Sequence, residues 1–271
     1  KTISGTVRLD YASIAWEKAF PAPLFKGNDF PVPQLMGAIP NQNRHADGQA
    51  DMVIIIPSSR KLKAQAERLK AFHEQKDGLR VNIVAADELY NEFSSGTPDA
   101  NAYRRYMKML YDRATPGDIP RYLLLFGDCL WDNRMLTSAA KGLDPDDYLL
   151  CYESENSFNA IECFVDDSFF ALLDDGEGGA LQTRDLPDIA VGRFPVSTAN
   201  EAKIMVDKTL DYATNSNAGA WQNTLMFMGD DGNNNLHMDD ANTAAEETAK
   251  QHPGFLVKKV MWDAYKRGRS A

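Results

Sequence analysis

The sequence predicts an α/β fold, with a parallel sheet wrapped by helices on both faces, and three observations carry that prediction. First, Tyr122–Phe126, within RYLLLFGDCLWD, is an unbroken apolar run that enters Gly127-Asp128. An apolar run with no polar alternation is a strand covered on both faces. Second, the arrangement recurs about a hundred residues later: Leu225–Met228 runs into Gly229-Asp230-Asp231-Gly232. Third, strand-like runs alternate with helix-like ones between these two copies and before them, which is the pattern of a helix-flanked parallel sheet. Acids just past the C-terminal end of such strands lie where open α/β sheets keep their sites.

Residues 1 to 47 differ from the rest. Five prolines (Pro21, Pro23, Pro31, Pro33, Pro40) and the aromatics Tyr11, Trp16, Phe20, Phe25 and Phe30 mark the end of a preceding β-rich region and an extended linker. Thr2–Leu9 alternates as an exposed strand would. The linker is expected to be held to a surface by its aromatics, because so much apolar area does not stay in water. The chain opens on Lys1 rather than Met, so it is read as a piece of something longer.

A first α/β subdomain is expected over residues 48–214. Met52–Ile56 is its first buried strand, closed by Pro57. Ser58 or Ser59 caps a helix whose stripe is Leu62, Ala66, Leu69 and Phe72. Leu79–Ala85 is the next strand and Glu88–Phe93 a short helical turn. Thr97-Pro98 opens a helix with Pro at its first position, and Ala102, Tyr106, Met109 and Leu110 form its inner face. The central strand Tyr122–Phe126 follows. From Trp131 to Gly179 lies a long acidic excursion, with Asp146-Asp147, Asp166-Asp167 and Asp174-Asp175 and short strands expected at Tyr148–Tyr152 and Ile161–Phe164. Such excursions in compact domains are usually functional or mobile. Asp188–Val191 is a strand. Thr198 and Glu201 make a capping box for a helix that turns Ala202, Met205, Val206, Leu210 and Ala213 inward.

Asn215–Gly219 is a polar boundary. A second subdomain starts after it, over residues 215–271: strand Thr224–Met228, acidic loop, helix from Met238 to Gln251, strand Phe255–Val260. One strand–helix–strand unit does not close a core, so this subdomain is read as incomplete.

Bulk properties narrow the partners. Net charge is −10, from 29 Lys and Arg against 39 Asp and Glu. That excludes nucleic acid as the main partner, since phosphate binding needs clustered cations. No run of eighteen apolar residues is present to span a bilayer. Cys129, Cys151 and Cys163 lack zinc-site spacing. They are read as buried thiols, with a Cys151–Cys163 disulfide as the other reading.

Four phrases in order, LLLFGDCLWD, DDSFFALLDD, DIAVGRFPVSTANEAKIMVDKTLDY and MFMGDDGNNNLHMDD, together with IPNQNRHAD before the first strand, resemble the gingipain family of cysteine peptidases. The likeness is greatest to its sortase-type members of type IX secretion. The resemblance implies a caspase-like fold of two subdomains and attack by a cysteine thiolate assisted by a histidine. It also implies a protein substrate (the C-terminal sorting domains of secreted cargo), an outer-membrane anchoring partner, and export to the bacterial surface. The family's histidine lies in a Gly-His-Gly phrase and its cysteine follows a later strand. Neither phrase matches His45, His73, His237, His252 or the three cysteines, so the chain is expected to lack the catalytic pair.

In the family an acid in the first loop of the second subdomain orients the histidine, and spacing matches it to Asp231. The other reading of Asp230 and Asp231 is a turn or helix cap. Arginine-specific members carry a substrate-binding acid where this sequence has His237, with Asp230, Asp239 and Asp240 close by. A histidine does not make the bidentate pairing that guanidinium favours. His237 and Asp230 are therefore expected to bind substrate of another kind, or to be solvated residues near a helix start. The resemblance also implies structural Ca²⁺ but no required cofactor; the paired aspartates either hold that ion, as hard oxygen ligands can, or are solvated acidic turns, the favoured reading. The loop from Asp231 is no EF-hand, having Leu236 where Gly is needed and Asn242 where an acid is needed. Without the resemblance, the two strand–Gly–Asp units suggest a Mg²⁺-dependent phosphohydrolase using Asp128, Asp132, Asp230 or Asp231, or a non-catalytic docking module. Asp128 either edges a cleft or closes the turn after its strand.

Overall fold

A computed structural model describes residues 41–154, 164–178 and 184–265. The fold described here is that of the unit beginning at Asn43. Four strands, β1 (Met52–Ile56), β2 (Val81–Ala85), β3 (Tyr122–Phe126) and β4 (Ala190–Phe194), form one sheet in the order β2-β1-β3-β4, and every pairing in it is parallel. The expected α/β architecture, a parallel sheet layered between helices as in caspase-like folds, is therefore the observed one.

The apolar runs explain the layering. Side chains alternate across a strand, and both faces are covered. Val53, Ile55, Leu123 and Leu125 pack on one side with α2 (Ala86–Phe93) and α3 (Asn101–Asp112). Ile54, Ile56, Leu124 and Phe126 pack on the other with α1 (Lys63–Lys76) and α4 (Ala199–Thr214). Each fully buried Ile or Leu contributes roughly 1.5–3 kcal/mol, so the central strands anchor both layers at once.

Several local expectations need correction. Neither Ser58 nor Ser59 caps α1. Arg60 takes a left-handed turn (φ 59°), and the helix starts at Lys63 without a side-chain cap. Helix α3 starts at Asn101 rather than at Thr97-Pro98, where the Asp99 carboxylate accepts the Asn101 N–H at 2.9 Å. Its buried face carries Tyr103 and Met107 beside Ala102, Tyr106 and Leu110, while Met109 is only partly buried. Residues 148–152 form no strand, and the nearest ladder element is an isolated Glu153–Val165 bridge. Strand β4 lies two residues further on than expected, so Arg193 is part of it. The Thr198–Glu201 capping box forms as expected. The Thr2–Leu9 strand, the aromatics of the linker and Ile161–Cys163 lie outside the described residues.

The segment before β1 is tied down by polar groups. The Glu92 carboxylate accepts the Arg44 N–H at 2.7 Å, His45 stacks on Phe93 at 4.5 Å, and the Tyr106 hydroxyl donates to Asp47 at 2.8 Å. At the other end of the sheet, Arg193 is a clamp. Its guanidinium holds Asp167 through two bonds of 2.8 and 2.7 Å and donates to the carbonyls of Gly127 (3.0 Å) and Leu150 (3.3 Å). That pins the excursion to the C-terminal end of β3.

The second sheet holds β5 (Thr224–Gly229) and β6 (Leu256–Met261), parallel, joined through helix α5 (Leu236–Gln251). Among the described residues, no helix is long and apolar enough to cross a membrane.

Candidate functional site

The loop that leaves β5 is shaped by its residue types. Asn233, Asn234 and Asn235 all adopt left-handed backbone (φ 51°, 57° and 70°), which Asn tolerates better than most residues. The chain therefore reverses within six residues, Asp230 to Asn235, and enters α5 at Leu236. Two glycines make that reversal possible. A Cβ on Gly229 would lie 2.7 Å from the His237 carbonyl oxygen and 2.8 Å from Met238 Cα. A Cβ on Gly232 would lie 2.6 Å from both Nδ1 and Cε1 of His237 and 3.0 Å from Asp230 Oδ1. Both positions need glycine for close approach, not for an unusual φ.

The consequence is a paired imidazole and carboxylate at the strand's end. His237 Nδ1 lies 2.6 Å from Asp230 Oδ1, and the Gly232 N–H donates to the same oxygen at 3.1 Å. The carboxylate can only accept when ionised, so Nδ1 carries the proton. Nε2 then faces the Asn233 amide nitrogen at 3.2 Å. The hydrogen bond from His237, then that from Gly232, holds the Asp230 carboxyl below its ordinary range.

Around this pair lies an open depression of about 720 Å³, lined by Met228, Gly229, Val260, Trp262 and Tyr265 as well as Asp230 and His237. Gly229 and Met261 are register partners, so the depression sits at the C-terminal ends of both strands. Met228, Trp262 and Tyr265 are all exposed there. The site thus combines a polarised imidazole with apolar and aromatic walls, which suits a proton exchange or a polar contact beside a peptide side chain.

A larger opening, about 790 Å³, lies by the first sheet, with Tyr90, Asp132, Asn133 and Tyr148 in its wall. Its buried acid is already committed, since Asp132 accepts the Thr137 N–H at 2.6 Å, a bond that lowers its carboxyl. We therefore place the candidate site at β5 and β6.

The sequence-predicted residues fall as follows. Asp230 and His237 are brought together. Asp231 lies next to them on the exposed loop, where its carbonyl accepts the Asn235 N–H at 3.3 Å. Asp128 closes its turn: its carboxylate accepts the Cys129 N–H at 2.9 Å, and its main chain bonds to Val196 and Leu149. The aspartates of the excursion are engaged one by one: Asp147 with Lys61, Asp166 with the Ser168 N–H, Asp167 with Arg193, Asp174 with Tyr111 and Asp175 with Lys108. Among the described residues, no group of three or more His, Cys, Asp or Glu is placed to hold a metal ion. Cys129 and Cys151 are unbridged, and Cys163 lies outside the described residues. Asn233, Trp262 and Tyr265 are site residues that sequence reasoning missed. The signal available for Asn233 was the Gly-Asn-Asn-Asn run, where left-handed backbone was to be expected.

Comparison with known proteins adds three findings. Residues 45–271 match the family model described as peptidase family C25. A solved structure, described as dimeric latent PorU from Porphyromonas gingivalis, superposes with a TM-score of 0.61 at 39% identity. The match covers 70% of this chain and 18% of that one, so the chain spans under a fifth of that relative's length. A search of curated proteins returned no match.

Proposed function

The chain belongs to peptidase family C25, the gingipain family, and from that membership we propose that its parent protein is a cysteine endopeptidase of the sortase type, acting on the C-terminal sorting domains of secreted cargo. This chain supplies the first sheet and the acidic loop of the second. The nucleophilic cysteine and its histidine come from elsewhere in the parent. Among the described residues no cysteine lines the depression at β5 and β6, and His237 is already bonded at both ring nitrogens.

In this reading Asp231 takes the far nitrogen of the incoming histidine, fixing its tautomer and stabilising the imidazolium as the thiol gives up its proton. Asp230 and His237 form the neighbouring wall and contact the substrate. His237 presents an imidazole and not the bidentate carboxylate of an arginine pocket, and Trp262 and Tyr265 supply apolar surface for a peptide. Structural Ca²⁺ and an outer-membrane anchoring partner at the bacterial surface belong to the same proposal, and no catalytic step is routed through a metal.

The observation that carries the reading is the position of the Asp230-Asp231 loop. It stands at the C-terminal end of a parallel strand, with Gly229 packed against the backbone of His237 and Met238 and Gly232 against the His237 imidazole. The experiment is Asp231→Asn in the full-length parent. Turnover is expected to fall about 100-fold or more while KM changes little. An unchanged turnover number removes Asp231 from the mechanism.

A further inference from the structure

Two thiols that the proposed chemistry does not use face each other at the end of the first sheet. Cys129 lies three residues past the end of β3, in the turn after Gly127-Asp128, and Cys151 lies on the excursion. The two segments run side by side in a rigid frame. The Leu149 N–H donates to the Asp128 carbonyl at 2.9 Å. Asn133 grips Cys151 at both ends of its peptide unit, accepting its N–H at 2.9 Å and donating to its carbonyl at 2.8 Å. Arg193 straddles both segments through the carbonyls of Gly127 and Leu150. Cys151 Sγ lies 3.2 Å from the carbonyl oxygen of Leu130, the residue after Cys129, so the two thiols sit on neighbouring strips of backbone and each influences the other's ionisation.

The two sulfurs differ in access. Cys151 is 1% exposed, whereas Cys129 is only partly buried. The hydrogen bond from Cys151, and after it the Arg193 guanidinium, favours the Cys129 thiolate; the same bond and burial hold the Cys151 proton on. A partly exposed thiol whose ionisation is favoured, backed by a buried thiol that keeps its proton, is the arrangement of an attacking and a resolving cysteine.

We propose that Cys129 and Cys151 form an intrachain thiol–disulfide site that closes on reaction with a low-molecular-weight disulfide. The Cys129 thiolate attacks one sulfur of the oxidant. A mixed disulfide forms, the oxidant's S–S bond breaks, and one thiolate leaves to take up the proton that Cys129 lost. Cys151 gives up its proton and attacks Cys129 Sγ. The Cys129–Cys151 bond forms and the second thiol departs. The protein dithiol has lost two electrons and two protons, and the oxidant has become two thiols. The closed bond ties the turn after β3 to the excursion, along the line that Arg193 and Asn133 already hold.

The test uses the full-length protein, fully reduced, then treated while folded with oxidised glutathione and trapped with N-ethylmaleimide. Trypsin with a glutamyl endopeptidase separates the three cysteines, because Arg134 and Lys141 lie between the first two and Glu153 between the last two. Tyr122–Arg134 linked to Gly142–Glu153 is the expected product, retained in Cys163→Ser. In Cys151→Ser, Cys129 should stop as a stable glutathione adduct. Three results overturn the proposal: a Cys151–Cys163 link, a persistent adduct on Cys129 in the unsubstituted protein, or no reaction at Cys129 while the protein is folded.

Discussion

Replacing Gly229 by Ala tests how the candidate site is held. The added Cβ would meet the His237 carbonyl oxygen at 2.7 Å, Met238 Cα at 2.8 Å and the His237 carbonyl carbon at 3.0 Å, all of them backbone. Ordinary contacts begin near 3.4 Å, so relief requires α5 to move off β5 by about 0.7 Å. No flexible side chain is present to absorb the shift. Overpacking of this kind costs about 1–3 kcal/mol, which for a unit of this size lowers Tm by about 3–8 °C. The same shift carries His237 away from Asp230 and stretches their 2.6 Å bond to about 3.3 Å at most, weakening it. Thermal unfolding followed by circular dichroism reads the first effect, and the titration of the Asp230 carboxyl by NMR, which should move back toward its ordinary range, reads the second. Gly192→Ala is the control: it lies within β4, and its Cβ would meet nothing within 4 Å. It should unfold at or slightly above the parent temperature. If Gly229→Ala unfolds with the Gly192→Ala control and the Asp230 carboxyl titrates unchanged, the close-approach reasoning is wrong.

Other perturbations follow from the same contacts. Arg193→Met strands the Asp167 carboxylate and the carbonyls of Gly127 and Leu150, and should cost about 2–4 kcal/mol in urea unfolding; Arg193→Lys should recover only part, since an ammonium has no fork. Asp51 ties the start of β1 to Arg80, accepting its Nε–H and its N–H each at 2.9 Å, and the guanidinium holds its carboxyl at about 2 against an ordinary 3.8. Because the folded value is depressed, its stabilisation is present above pH 4 and is lost as pH falls toward 2. Asp51→Asn should therefore cost about 1 kcal/mol at neutral pH, after solvent screening, and almost nothing near pH 2. A pH-independent difference between the two proteins would contradict that ion pair.

The sheet was legible because its central strands are covered on both faces. Met52–Ile56 and Tyr122–Phe126 need no alternation, and their apolar runs say so directly. Tyr148–Tyr152 was expected as a short strand, a brief apolar and aromatic run that contains Leu149 and Cys151. They are buried, but their N–H groups go to the Asp128 carbonyl and the Asn133 side chain. No local pattern encodes a partner eighteen to twenty-one residues away. Thr97-Pro98 looked like a helix start, yet Asp99, two residues before Asn101, is the side chain that meets a free N–H of the first turn. At the candidate site, the acidic loop was legible in the sequence, and His237 as a substrate contact followed from the family resemblance. Neither revealed that Asp230 and His237 bond to each other. That pairing arises from three left-handed asparagines and two glycines with no room for a Cβ, features that become decisive only when the strand end and the helix start are seen together.

The reactivity of the parent's catalytic thiol tests most directly whether the β5 loop serves a cysteine peptidase. Iodoacetamide labelling of that cysteine, followed by mass spectrometry across pH, should be slowed tenfold or more at neutral pH by Asp231→Asn, with the lower limb of the profile displaced. Asp128→Asn, in a turn of the first sheet, should label at the unsubstituted rate. Equal labelling in all three proteins would separate the loop from the nucleophile and contradict the assignment.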